Sequence, residues 1–206
     1  MPDISTLLSF AIASLILALV PGPNVSLIIA TSLQRGILAG MAVVAGTSIG
    51  ILSMVFAVAI GFEALLSFMG WAFDWIKIAG AIYLIYLGFT MVHSSGKLDK
   101  NIKIGRQPLF RLALRGFMVL WSNPKMLLFF GAFIPQFVTL GEPTFTSLML
   151  LGLIFFTVAA FTDTLYALGA GSLGKALSTT RVKILNRISG IIVMTGGVWL
   201  ALQQKT

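Results

Sequence analysis

Cysteine is absent from the chain, which removes disulfides, thiolate metal sites, thiol relays and cysteine nucleophiles together and leaves the redox compartment unreadable. Histidine occurs once, at His93, so zinc motifs that need two histidines are excluded, as is any histidine-rich metal cage. No metal and no cofactor is expected. Charge is equally scarce: only 10% of the 206 residues are Asp, Glu, Lys or Arg, and a soluble domain of this size needs far more polar surface. The opening MPDISTLL has no basic n-region, and its apolar run outlasts the h-region of a cleavable signal. It is expected to form a first transmembrane helix.

What is present is apolar. Hydrophobic residues make up 58% of the chain and the mean hydropathy is +1.01, the composition of an integral membrane protein. Six segments long enough to cross a hydrocarbon core of about 30 Å are expected at about 5–33, 37–61, 74–92, 112–136, 147–170 and 186–203. The division of the second from the third rests on a turn read at Gly61, Phe62, Glu63 and Gly70. Only 93–111 lacks a long apolar run, so a single transmembrane domain over 1–206 is expected. Its halves are about 1–92 and 112–206, joined by a basic cytoplasmic loop at 93–111. The net charge of +8 sits in short loops and argues for membrane topology, not for nucleic acid. Arg35, the cluster from Lys97 to Arg115, and the run Lys175, Arg181, Lys183 and Arg187 all fall in odd-numbered loops or at their edges, which places those loops in the cytoplasm and both termini outside. Three spans per half send the second half into the membrane in the opposite direction: an all-α fold of six transmembrane helices as a 3+3 inverted repeat.

Two of these spans carry helix breakers at corresponding places. In "VPGPNVSLIIA", Pro21 and Pro23 lack backbone N–H groups, so a continued helix would leave the carbonyls of Leu17 and Leu19 without partners. In "WSNPKMLLFF", Pro124 does the same to the carbonyl of Leu120. Such breaks survive in lipid only against protein or a wet cavity, and both fall near the middle of their spans. A single proline in a membrane helix merely kinks it; two prolines flanking Gly22, matched by Asn123-Pro124 in the other half, point to broken first and fourth helices. The half-helices beginning at Asn24 and Lys125 would bring their free N–H ends together at the midplane as a receptor for a carboxylate. Asn24 and Asn123 add amide groups to hold the carboxylate, and the freed carbonyls suit an ammonium group. A small zwitterion matches both.

Asp163, in "FFTVAAFTDTLYALG", is an acid inside the fifth span, where an unpaired carboxylate costs at least ~2.5 kcal/mol. Lys125 is its expected partner and Tyr166, one turn on, a hydrogen-bond neighbour. The pair reads either as a proton-coupling site or as a structural bridge between the fourth and fifth spans. Lys77 lies near the end of its span, one turn from Asp74, and suits snorkelling or a local pair. His93 marks the end of that span. Gly36 with Gly40, and Gly46 with Gly50 and Ser53, have the spacing of close helix packing, while Thr47 and Ser48 are candidates to line a path. The basic loop suits anionic membrane lipids as well as topology.

These motifs, "PGPN" with "QRGILAGMAVVAG", "KIAGAIYLIYLGFTM", "GFMVLWSNPKMLLFFGAFIPQF", "TDTLYALGAG" and "RISGIIVMTGGVWLAL", taken in order over most of the chain, resemble the LysE/RhtB family of bacterial amino-acid exporters. The resemblance implies a six-helix carrier of the bacterial inner membrane that exports amino acids or close derivatives against protons. By position it implies substrate contacts at Pro21, Gly22, Pro23, Asn24, Asn123, Pro124, Lys125 and Tyr166, with proton coupling at Asp163. The resemblance alone points to a homodimer. An inorganic cation transporter of related architecture is the alternative, and one acid facing two positive helix ends argues against it. An integral-membrane enzyme lacks its nucleophile–base pair, and an assembly factor leaves the paired breaks unexplained.

Overall fold

The computed structural model describes residues 2–19, 22–93, 104–138 and 144–173, together with isolated positions between 183 and 198. Among them there is no strand. Helix α1 is Ile4–Ala18. It starts where Asp3 caps it, with the Thr6 N–H donating to Asp3 Oδ1 at 2.8 Å, satisfying one of the orphan donors of a first turn. Phe10, Ser14, Leu17 and Ala18 face inward, whereas Ile4, Leu8, Ile12 and Leu15 form an exposed apolar stripe. A stripe of that kind is at rest only in lipid.

Helix α2 is Pro23–Arg35, with Pro23 in its first turn, where a missing N–H costs nothing. Its axis is bent by 54° from that of α1. The first expected span is therefore a broken helix, although Pro21 itself lies outside the described residues. Gly36, at φ +84, occupies backbone space that favours glycine and turns the chain straight into α3.

Helix α3, Ile37–Val92, runs for 56 residues without interruption. This corrects the turn expected at Gly61 to Gly70. No proline occurs between Pro23 and Pro108, and glycines cost a helix only about 1 kcal/mol each, too little to stop a run of strong apolar helix formers. Its segment Ile37–Phe62 is long and apolar enough to cross a membrane. The side chains of Asp74 and Lys77 lie outside the described residues, so their expected pairing does too.

The fourth expected span is broken as well. Helix α4, Leu109–Trp121, ends at Ser122; α5, Pro124–Leu128, starts under an Asn123 cap. The helical path then widens into a π-turn at Phe129–Phe133 and tightens into a 3-10 turn at Ile134–Phe137. Pro135 explains the change of pitch, because it cannot supply the N–H that an α-helix would bring to the Gly131 carbonyl. Helix α6, Thr144–Leu173, contains a second membrane-length segment, Thr144–Gly171. The sixth expected span, 186–203, lies mostly outside the described residues. Those described there include helical positions Arg187, Ile188, Gly190 and Ile191, and Gly190 meets the backbone of Gly88 in α3.

Close packing of α3 on α4 depends on missing side chains. A Cβ on Gly46 would run into the backbone of Ala113, and one on Gly116 would lie 2.5 Å from the Val43 carbonyl. Gly50 likewise receives Leu120, 2.6 Å from where its Cβ would stand. Helix α6 packs against α1, α2 and α3, and the largest core cluster joins Phe10, Ile51, Leu120, Phe130 and Phe155 from four elements and the π-turn. At one end of the molecule, Arg35 donates to the Gln107 carbonyl at 2.6 Å and Gln34 accepts from the Ile104 N–H at 3.0 Å. The end of α2 is thereby tied to the close of the basic loop.

Gly46→Val tests the crossing. The methyls would meet backbone that cannot step aside, so unfolding in detergent should be easier by about 3 kcal/mol. Gly61→Ala, where no atom stands within 4 Å, should be neutral or stabilising by up to about 1 kcal/mol. Equal melting temperatures for the two variants would contradict the packing.

Candidate functional site

The two helix breaks open onto one cavity. Gly22 and Asn24 reach it from the first break, Asn123 and Lys125 from the second, and Asp163 from the middle of α6. Ala18, Val25, Ile51, Leu120, Met126, Phe155 and Ala159 complete its lining with apolar groups. The sequence separations are large, so only the tertiary fold brings these residues together. The cavity gives the centres of water molecules about 30 Å³, room for about two of them. The site is therefore too small for an amino acid as it stands, and a larger occupant requires its walls to move.

Asp163 is 5% exposed and accepts two hydrogen bonds on its Oδ2. Asn24 Nδ2 donates at 3.1 Å and Thr47 Oγ1 at 3.4 Å; the Thr47 hydroxyl also lies 2.9 Å from the Val44 carbonyl. Three helices are thus tied at one carboxyl oxygen. Thr47 entered the sequence reading only as a path residue beside Ser48. The signal that singles it out is a hydroxyl on the buried face of a helix whose neighbouring turns are glycine, a face already committed to a close approach.

Lys125 is 8% exposed. Its Nζ donates to the Leu17 carbonyl at 2.9 Å, and it lines the same cavity as Asp163. The Tyr166 hydroxyl donates to the Leu19 carbonyl at 2.8 Å. The two carbonyls that the prolines deprive of backbone partners are therefore satisfied by side chains from α5 and α6. This corrects the expected bond from Tyr166 to Asp163: one turn of α6 places the phenol over the broken end of α1, where an unpaired acceptor outranks a third donor to an acid that already has two. Tyr166 is not part of the cavity lining.

The second break closes on itself. The Asn123 N–H donates to the Leu120 carbonyl at 3.0 Å and the Ser122 N–H to the Met118 carbonyl at 2.9 Å. Asn123 Oδ1 accepts from the Lys125 N–H at 3.1 Å. One of the free donors expected to face a carboxylate is thereby taken. The half-helices start one residue earlier than expected, at Pro23 and Pro124, because proline at the first helical position sacrifices no bond. Helix α5 is five residues long, so the positive end expected there is weak, and the cationic group at the second break is Lys125 itself. Pro23 does not line the cavity. A Cβ on Gly22 would stand 4.0 Å from Lys125 Nζ, an ordinary contact, so glycine is not sterically compelled there.

Comparison with known proteins gives the arrangement a context. The family model described as LysE type translocator matches residues 15–204. The homoserine/homoserine lactone efflux protein of Salmonella typhimurium is 30% identical over 194 residues, 94% of this chain and 94% of that protein. An uncharacterized membrane protein of Vibrio cholerae is 26% identical over 97% of this chain and 98% of its own. The leucine efflux protein of Klebsiella pneumoniae is 28% identical over 66% of this chain and 65% of its own. No solved structure was found to match the chain.

Tyr166→Phe isolates one of the carbonyl bonds. Removing the hydroxyl leaves the Leu19 carbonyl without its donor and should lower the unfolding free energy in micelles by about 1–2 kcal/mol. Unchanged stability would mean that the carbonyl has another partner.

Proposed function

The chain belongs to the LysE type translocator family, whose members are transporters and not enzymes, and from that premise we propose that it exports amino acids or close derivatives in exchange for protons. The observation that carries this reading is the placement of one buried acid, one buried amine and both helix breaks around one small cavity. A zwitterion needs one partner of each sign, and irregular backbone at membrane depth is tolerated where it lines such a cavity. Asp163 is assigned the ammonium group or the exchanged proton, and Lys125 the opposite charge. The buried ammonium of Lys125 disfavours an inorganic cation as cargo. Among the described residues no cluster of acids and histidines is able to hold a metal ion.

In this reading the chain is one domain of six spans in the bacterial inner membrane, with its basic loops in the cytoplasm and both termini in the periplasm. The count of six requires helix α3, whose segment Ile37–Phe62 is long and apolar enough to cross a membrane, to part into two crossings at 37–61 and 74–92. The bonds from Arg35 to Gln107 and from Ile104 to Gln34 support the orientation, since they put the first and third loops at the same end of the molecule. A homodimer has the family resemblance as its only support.

Asp163→Asn tests the coupling role. The amide still accepts from Asn24 and Thr47 but cannot take up a proton. In proteoliposomes, efflux of labelled leucine driven by a pH gradient should fall to the level of empty liposomes, while the variant inserts and elutes as the parent does. Gradient-driven efflux at the parent rate would make Asp163 a structural residue.

A further inference from the structure

Resting on the export reading above, we propose that the site selects amino acids with one uncharged aliphatic side chain, bound with the ammonium group on Asn24 and Asp163 and the carboxyl end on Lys125. The first support is an orphan atom. Asn24 is 9% exposed, its Nδ2 is committed to Asp163, and its Oδ1 is buried with no partner. A buried acceptor without a donor is costly, and the atom has only lone pairs to offer. It accepts from an ammonium N–H and repels a carboxylate. Asn24 is thereby moved from the carboxylate end of the substrate, where its sequence context placed it, to the ammonium end. Lys125 is the complementary donor, and a carboxyl oxygen is a stronger acceptor for it than the Leu17 carbonyl that holds it now, because a bond between two charged groups is the stronger.

The second support is a count of charges. Asp163 and Lys125 are the only ionisable side chains in the lining among the described residues, and an amino-acid backbone uses both. Ile51, Met126, Phe155 and Ala159 offer nothing but carbon and a thioether to what remains of the substrate. A third charge, as in lysine or glutamate, would be buried unpaired.

The third support is the order of residues along α6. Phe155, Ala159 and Asp163 stand on successive turns of one face. A substrate fixed by its ammonium at Asp163 therefore sends its side chain past the small Ala159 towards the Phe155 ring. That ring is held by Phe129 at a centroid distance of 4.6 Å and by Phe130 at 5.4 Å, so it forms a firm floor that limits side-chain length.

The test is efflux of labelled leucine from proteoliposomes, competed by unlabelled leucine, lysine, glutamate, phenylalanine and N-acetylleucine. Lysine, glutamate and N-acetylleucine should each compete more than about tenfold less well than leucine. Phe155→Ala should improve phenylalanine relative to leucine by about tenfold. Lysine or glutamate competing within about tenfold of leucine would overturn the charge count. N-acetylleucine competing as leucine does would overturn the orientation, and a phenylalanine-to-leucine ratio unmoved by Phe155→Ala would remove the floor. All three results leave amino-acid export standing, whereas the absence of flux for every amino acid overturns the export reading itself. Ile51→Asp, which adds an acid to the apolar part of the lining, should bring lysine competition up to that of leucine, and no gain there counts against the apolar wall.

Discussion

A backbone carbonyl that has lost its helical partner inside a membrane has to find another donor, since leaving it bare costs several kcal/mol. Leu17 and Leu19 carry two such carbonyls, and the donors that reach them are Lys125 and Tyr166. The rest of the arrangement follows from that need. Helix α1 ends where it does because its last carbonyls are taken by side chains. Helix α2 leaves at 54° because Pro21 and Pro23 bring no N–H groups to the carbonyls of Leu17 and Leu19. Helices α5 and α6 are drawn to the same place because they bring the donors, and Asp163 and Lys125 then face one cavity.

Such a joint is stable without being permanent. Bonds between side chains and backbone contribute on the order of 1–3 kcal/mol each, an amount that a competing ligand group can supply. In the proposed function the substrate's carboxyl end competes for Lys125, and its ammonium satisfies the empty Oδ1 of Asn24. The contacts that hold the first break are then the contacts that binding exchanges. The glycine-lined crossing of α3 and α4 is of a different kind. At Gly46 and Gly116 backbone meets backbone, so the crossing serves as the fixed frame against which the break works.

Much of this was legible before any coordinates. Prolines announce missing N–H groups, so the Leu17 and Leu19 carbonyls were identifiable as acceptors in need, and a lone acid in an apolar run announces a partner. The identity of the donors was not legible, because Lys125 and Tyr166 lie more than 100 residues away and reach the break only through the packing of α6 and α5 against it. Tyr166 was assigned to Asp163 from helical spacing, a local rule that cannot weigh a distant unpaired carbonyl. Asn24 was assigned to a carboxylate because an amide has donors; that Asp163 already uses one of them is a tertiary fact. The turn between the second and third spans was read from two glycines and a glutamate, and in the continuous helix Ile37–Val92 these prove too weak a signal without proline. Gly46 and Gly50 show the opposite case: small residues at helical spacing do report close packing, but not which helix is the neighbour.

The absence of native cysteine makes the central claim, that the two breaks and the Asp163–Lys125 cavity form the substrate site, directly measurable. A cysteine at Gly22 would place its Cβ in ordinary contact with Lys125 Nζ, at 4.0 Å, and would be the sole thiol in the protein. Its rate of modification by a small thiol reagent, in membranes with and without saturating leucine, reports whether the cavity is occupied. The account predicts that leucine slows the reaction at Gly22→Cys and leaves it unchanged at Met118→Cys, on the exposed face of α4. A Gly22→Cys rate indifferent to leucine, in protein that still exports it, would contradict the account.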